Sequence, residues 1–312
     1  VATRVLLTAD HHLMNDPNDL TEHQIRTQFT PVITTKKWVP LSFVKWLISR
    51  LRHSALVAMA RMNARARKET FDYHVTVGDQ LHGISERGME APAAKTLAWE
   101  FLAWTSSWAW SGSLFHVPSE HPLGYWDGED YIPHIEWKNG WPSLKLAIKR
   151  DIGGAMNIGA ILEWEGWFGS LWGEKFVNGV HLVWITGDFF RWADRIDDPA
   201  LQELARQQDE FLKYVFNNEN PSDGIVLFTH RLNVAYDVPI LWQNRNRIRA
   251  VVFADYHDPK RAAKAVAGFP AAPFQKWFVP AVWGVQFGLG NPGYGVLTLN
   301  NGRADYQSFD LI

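Results

Sequence analysis

The chain has 312 residues whose charges nearly cancel, 31 Lys and Arg against 33 Asp and Glu, for a formal net charge of −2. With 46% hydrophobic and 21% charged residues it has the composition of a folded globular chain, which excludes global disorder. No run approaches the roughly 18 apolar residues of a membrane-spanning helix, and the lack of cysteine excludes disulfides, thiolate metal sites and a cysteine nucleophile.

The first twelve residues hold only a short apolar run before Asp10-His11-His12, which is not the apolar core of a secretory signal. An opening Val fits a chain trimmed of a leader, so the compartment of this expected soluble protein stays open. Within that run, Val5 to Ala9 reads as a buried strand. Leu41 to Lys68 carries Val44, Leu47, Ile48, Leu51, Ala55 and Met59 on a helical stripe. Tyr73 to Val77 is a second buried strand, ending at Gly78-Asp79. Ten of the 17 tryptophans then fall between Trp99 and Trp172. Trp99, Phe101, Leu102, Trp104 and Trp108 recur at near-helical spacing, so the segment from about 91 to 172 reads as a Trp-rich helical insertion.

Lys175 to Trp184 is two alternating runs around Asn178-Gly179, a strong hairpin signal. Asp197 to Phe216 reads as an amphipathic helix, and Gly224 to Phe228 and Ile248 to Phe253 as buried strands. Tyr294 to Leu299 with Asn301-Gly302 predicts a closing hairpin. Strands alternating with helices, together with hairpins and no low-complexity linker, argue for one mixed α/β domain over residues 1–312.

Four of these strands end in acids or histidines: Asp10 and His12, then Asp79, then His230, then Asp255 and His257. Functional groups in open α/β sheets gather beyond the carboxyl ends of strands. Glu120-His121 adds a carboxylate beside an imidazole. Oxygen and nitrogen donors without sulfur suit Mn, Fe, Zn or Mg, and two ions sharing a carboxylate form the clamp used on phosphoesters.

In this order the motifs resemble those of the calcineurin-like metallophosphoesterase family, whose pattern is Asp-x-His, Gly-Asp, Gly-Asn-His-Asp or Glu, a lone His, and Gly-His-x-His. Here they read Asp10-His11-His12, Gly78-Asp79, Ser119-Glu120-His121-Pro122, His230 and Ala254-Asp255-Tyr256-His257. Each is weak alone; five in order at strand ends are specific. The resemblance implies two packed mixed sheets flanked by helices, a four-layer αββα sandwich. It also implies a dinuclear centre of two divalent ions, manganese among the candidates, and hydrolysis of a phosphoester by a metal-bound hydroxide. One ion would take Asp10, His12, Asp79 and His257. The other would share Asp79 and take Glu120, His230 and Asp255, with His121 as the catalytic histidine beside the phosphate.

Glu120 and Asp255 stand where the family has Asn and His, and Pro122 where it has an acid. The second shell therefore holds three carboxylates in place of one, which disfavours a dianionic monoester and leans towards a diester; phosphatase and phosphodiesterase both stay open. The alternative is a non-catalytic binding module keeping at most one structural metal.

Other histidines have plainer expectations. His11 and His82 read as rim or supporting residues, and His74, His116, His134 and His181 as core or surface residues. Residues 23 to 68 hold ten Lys and Arg and no acid. That pattern invites nucleic acid or an anionic membrane, although a solvated helix face is the favoured reading.

Overall fold

The computed structural model describes residues 1–22, 25, 39–81, 92–123, 129–138, 141–150, 158–187, 189, 198–218, 224–257, 259–283 and 292–311. For Pro92, Glu120, His121 and residues 129–138 and 141–150 the backbone alone is described. In chain order the first half holds β1 (Thr3–Thr8), α1 (Leu41–Glu69), β2 (Tyr73–Val77), α2 (Pro92–Thr105), β3 (Ser113–Val117), α3 (Glu120–Leu123), β4 (Glu129–Lys138), β5 (Trp141–Arg150) and α4 (Ile158–Phe168). The second half holds β6 (Gly173–Val177), β7 (Val180–Trp184), α5 (Pro199–Asn218), β8 (Ile225–Phe228), α6 (Val234–Asp237), α7 (Pro239–Gln243), β9 (Ile248–Phe253), α8 (Pro259–Gly268), β10 (Gln275–Phe278), β11 (Gly293–Asn300) and β12 (Arg303–Asp310).

Among the described residues, ten of the strands form two mixed five-stranded sheets, ordered β12-β11-β1-β2-β3 and β10-β9-β8-β7-β6, and β4 and β5 form a two-stranded sheet. The central strands are parallel: β1 with β2, β2 with β3, β7 with β8, and β8 with β9. Antiparallel β11 and β6 flank β1 and β7 respectively. The fold is thus α/β, two sheets flanked by helices.

Strand periodicity explains the layering. Side chains alternate between the two faces of a strand, and a strand buried on both faces is apolar throughout. Val5, Leu7 and Ala9 face Val226, Phe228, Val252 and Ala254 in the core between the sheets. There Phe115 of the first sheet stacks on Trp184 of the second at 4.4 Å and meets Phe228 edge-on at 5.1 Å. Leu6, on the opposite face, lies under Met59, Met62, Phe101, Trp108 and Trp164, drawn from α1, α2, α4 and their connections. Val251 and Phe253 lie under Leu212, Val215 and Phe216 of α5 in the same way.

The 91–172 segment is only partly helical. Its helices α2 and α4 pack on the first sheet, but β3 joins that sheet and β4–β5 form a separate ladder. Both expected hairpins form around left-handed Asn-Gly turns, with φ of 50° and 77° at Asn178-Gly179 and 46° and 77° at Asn301-Gly302. The turns dock on each other through Gly302 N–H donating to the Asn178 carbonyl at 3.0 Å. They close the end of the sandwich away from Asp10, since Asn178 Nδ2 also donates to the carbonyl of Val1.

Candidate metal centre

β1, β2, β8 and β9 all deliver their carboxyl ends to one edge of the sandwich. Past these ends the chain takes the left-handed conformation repeatedly: φ is 48° at Asp10, 46° at His12, 47° at Asp79, 69° at Asp255 and 56° at His257. Asp and His tolerate this region better than most side chains, yet each such residue stores about 1 kcal/mol or more of strain, and such strain concentrates at functional sites. Hydrogen bonds hold the turns together. Asp10 N–H donates to Gly78 O at 3.3 Å, His12 N–H to Asp79 O at 3.0 Å, and Ala254 N–H to His230 O at 2.9 Å.

Asp10, His12, Asp79 and His257 each offer a donor atom, all within 4.8 Å of one another. Asp10, His12 and Asp79 are buried and His257 is partly exposed. His12 and His257 approach Nε2 to Nε2 at 3.4 Å. His230 Nε2 stands 3.3 Å from Asp79 Oδ2, 3.9 Å from Asp10 Oδ1 and 3.8 Å from Asp255 Oδ1. Asp79 Oδ2 also lies 3.6 Å from His12 Nε2, so this one oxygen sits between the two histidines.

The His230 ring is fixed from the other sheet. Its Nδ1–H donates to the carbonyl of Val77 at 2.9 Å, which leaves Nε2 as the donor atom facing the carboxylates. The ring rests on the backbone of Gly78, where an added Cβ would lie 2.1 Å from Nδ1.

Burying two carboxylates is costly unless positive charge compensates them. A set of two carboxylates and two imidazoles at this spacing suits a divalent cation of the Mn, Fe or Zn kind. By that chemistry the first ligand set fits an ion. At the neighbouring position His230, Asp79 and Asp255 converge, whereas the side chains of Glu120 and His121 lie outside what the structure describes; their backbones open α3, just beyond β3.

Two neighbours of the site were missed in the sequence. Arg231 Nε lies 3.7 Å from Asp255 Oδ1, placing a guanidinium against the acidic shell. Its position next to His230 was the only available hint. Ser119 Oγ, fully buried, accepts the Asp79 backbone N–H at 2.7 Å and so holds the left-handed turn.

Four other histidines, His11, His74, His116 and His181, serve the core. His11, expected at the rim or in support, is fully buried and meets the Phe101 ring edge-on at 4.9 Å. Burial, with His116 nearby, depresses its pKa to about 3 against a small opposing pull from Asp79. His74, His116 and His181 are buried too. Thr8 and Thr76 hydroxyls lie 2.7 Å from His74 Nε2 and 2.8 Å from His116 Nδ1. His82 and the His134 side chain lie outside the described residues.

No protein-family model matches the chain, and no curated protein matches it. Among the described residues no helix is long and apolar enough to cross a membrane.

Proposed function

We propose that this protein is a metal-dependent hydrolase of phosphoesters built on a dinuclear centre. The reading is carried by one observation: four donor atoms from Asp10, His12, Asp79 and His257 lie within 4.8 Å at the carboxyl edge of the sandwich, with His230 and Asp255 beside them. Asp10, His12, Asp79 and His257 would hold one divalent ion; Asp79, Glu120, His230 and Asp255 would hold the second. Two such ions supply Lewis acidity towards a phosphoryl oxygen and lower the pKa of water.

The chain's own groups do the rest. The single oxygen Asp79 Oδ2 between His12 and His230 suits a bridge. His230 is locked by Val77 in the tautomer that presents Nε2. Arg231 offsets part of the acidic shell and gives phosphoryl oxygens a guanidinium to meet. His121 is assigned to protonating the leaving oxygen or stabilising the charge that develops there.

Arg231 against Asp255 also favours a second reading, in which the guanidinium replaces the second cation and the protein binds without catalysis around one structural ion. Elemental analysis of protein purified without added metal, followed by assays of aryl phosphate mono- and diesters with Mn, Zn and Mg, separates the two. Turnover that needs metal and is lost in Asp79→Asn supports the hydrolase. One tightly held ion with no turnover under any metal supports the binding module, and no bound ion together with no turnover under any added metal sinks both.

A further inference from the structure

The outward face of α1 is not composed like a solvated helix. Phe43, Trp46, Arg50, His53, Val57 and Arg61 follow one another at spacings of three and four, which makes a single stripe along the helix. All are exposed, Phe43 by 45%, Trp46 by 53% and Val57 by 37%. Phe43 and Trp46 stack at 5.9 Å, and the Arg50 guanidinium lies 5.8 Å over the Trp46 ring. None of these is needed to fill the core, because Val44, Ile48, Ala55, Met59 and Met62 on the opposite face already do so.

Charge singles out an occupant. The helix carries seven Lys and Arg before its first acid, Glu69, its last residue, so the stripe is cationic and apolar with no carboxylate in it. A cationic face bearing a cluster of exposed aromatic residues matches an interfacial helix at a negatively charged bilayer: the rings enter the headgroup boundary and the basic groups meet lipid phosphates. A nucleic-acid backbone would use the cations, but not the exposed Val57, Ala60 and Ala64 set among them.

We propose that α1 docks this protein on an anionic phospholipid surface, with Phe43 and Trp46 seated at the interface and Lys45, Arg50 and Arg61 facing the headgroups. The inner side of the same helix places Val44, Ile48 and Ala55 in one cluster with Met14 and Trp283, and the Trp283 ring stands 5.7 Å from His12. Docking therefore sets the candidate metal centre one layer of side chains behind the docked helix. The surface does not depend on the hydrolase reading.

The test is flotation of the full chain with phosphatidylcholine vesicles, with and without phosphatidylserine, over a series of salt concentrations. The parent should bind only the anionic vesicles and release as salt rises. Arg50→Glu with Arg61→Glu should weaken partitioning about fivefold or more per charge. Phe43→Ser with Trp46→Ser should weaken it about tenfold. Both pairs lie on the exposed face, so thermal unfolding should match the parent, and because they alter different residues each checks the other. The proposal is overturned by no binding at low salt, by undiminished binding of both variants, or by tighter binding to nucleic acid than to vesicles at the same salt. Self-association abolished by the aromatic pair, without vesicle binding, overturns it equally and makes the stripe an interface between copies of the chain.

Discussion

Substituting Gly78 by Ala should separate the seat of His230 from ordinary turn strain. Gly78 has φ of +88°, and a Cβ there would meet His230 Nδ1 at 2.1 Å and Cγ at 2.5 Å. Holding alanine in that conformation costs about 1–2 kcal/mol. The ring must also move, losing its bond to Val77 O and leaving a buried polar group unmatched, for about another 2–3 kcal/mol. Gly78→Ala should therefore destabilise the protein by about 4 kcal/mol, whereas in a His230→Ala background only the turn strain of about 1–2 kcal/mol should remain. For a chain of this length the two costs correspond to melting-point drops of about 6 °C and about 2 °C. Melting both single variants, the double variant and the parent after chelation keeps metal linkage out of the comparison. Metal titration of the same four proteins should show Gly78→Ala losing the site that uses His230. Equal cost in both backgrounds would refute the argument, because His230 would then not be packed on Gly78.

Further outcomes follow from other parts of the site and its support. Ser119→Ala strands the buried Asp79 N–H and should cost about 2 kcal/mol while weakening metal binding, read by denaturant melts and calorimetry; unchanged affinity would remove Ser119 from the support of the turn. Burial holds the His116 pKa at about 4 and the His74 pKa well below its ordinary value. The unfolded chain therefore binds more protons between about pH 6.5 and pH 4, and stability, highest above that window, should fall on acidification. His116 alone should contribute roughly 3 kcal/mol of that fall, and His116→Phe should flatten the pH dependence of metal-free denaturant melts; an unchanged slope would clear His116. Replacing Asp255 by His together with Glu120 by Asn should raise phosphodiester turnover, since fewer carboxylates leave a held cation more electrophilic. Loss of the parent's turnover in that double variant would mean the acidic shell works as it stands.

Much of the scaffold was legible in local sequence. Val5 to Ala9 and Ile248 to Phe253 announce strands buried on both faces, and Asn178-Gly179 and Asn301-Gly302 announce turns, because alternation and left-handed tolerance are properties of a few consecutive residues. The order of Asp10, His12, Asp79, His230, Asp255 and His257 at strand ends likewise pointed to one edge, since parallel strands in a sheet carry their carboxyl ends to the same side. The separate β4–β5 ladder within the Trp-rich segment was not legible, for the helical reading extends the near-helical spacing of Trp99 to Trp108 over the whole segment, although the β4–β5 stretch carries no such recurrence.

Only the tertiary structure decided which neighbours meet. In Asp10-His11-His12 the first and third residues adopt left-handed backbone and join the cluster, while His11 enters the core beside Phe101. No spacing rule separates them, because the outcome depends on α2 covering that face of the first sheet. The tautomer of His230 is set by the carbonyl of Val77, 153 residues away. The charge of the second shell is altered by Arg231, whose reach to Asp255 depends on β8 and β9 lying side by side. Local propensity acts over a few residues, but ligand geometry and charge compensation depend on strand neighbours and sheet packing, which form only when distant segments bury their apolar faces together.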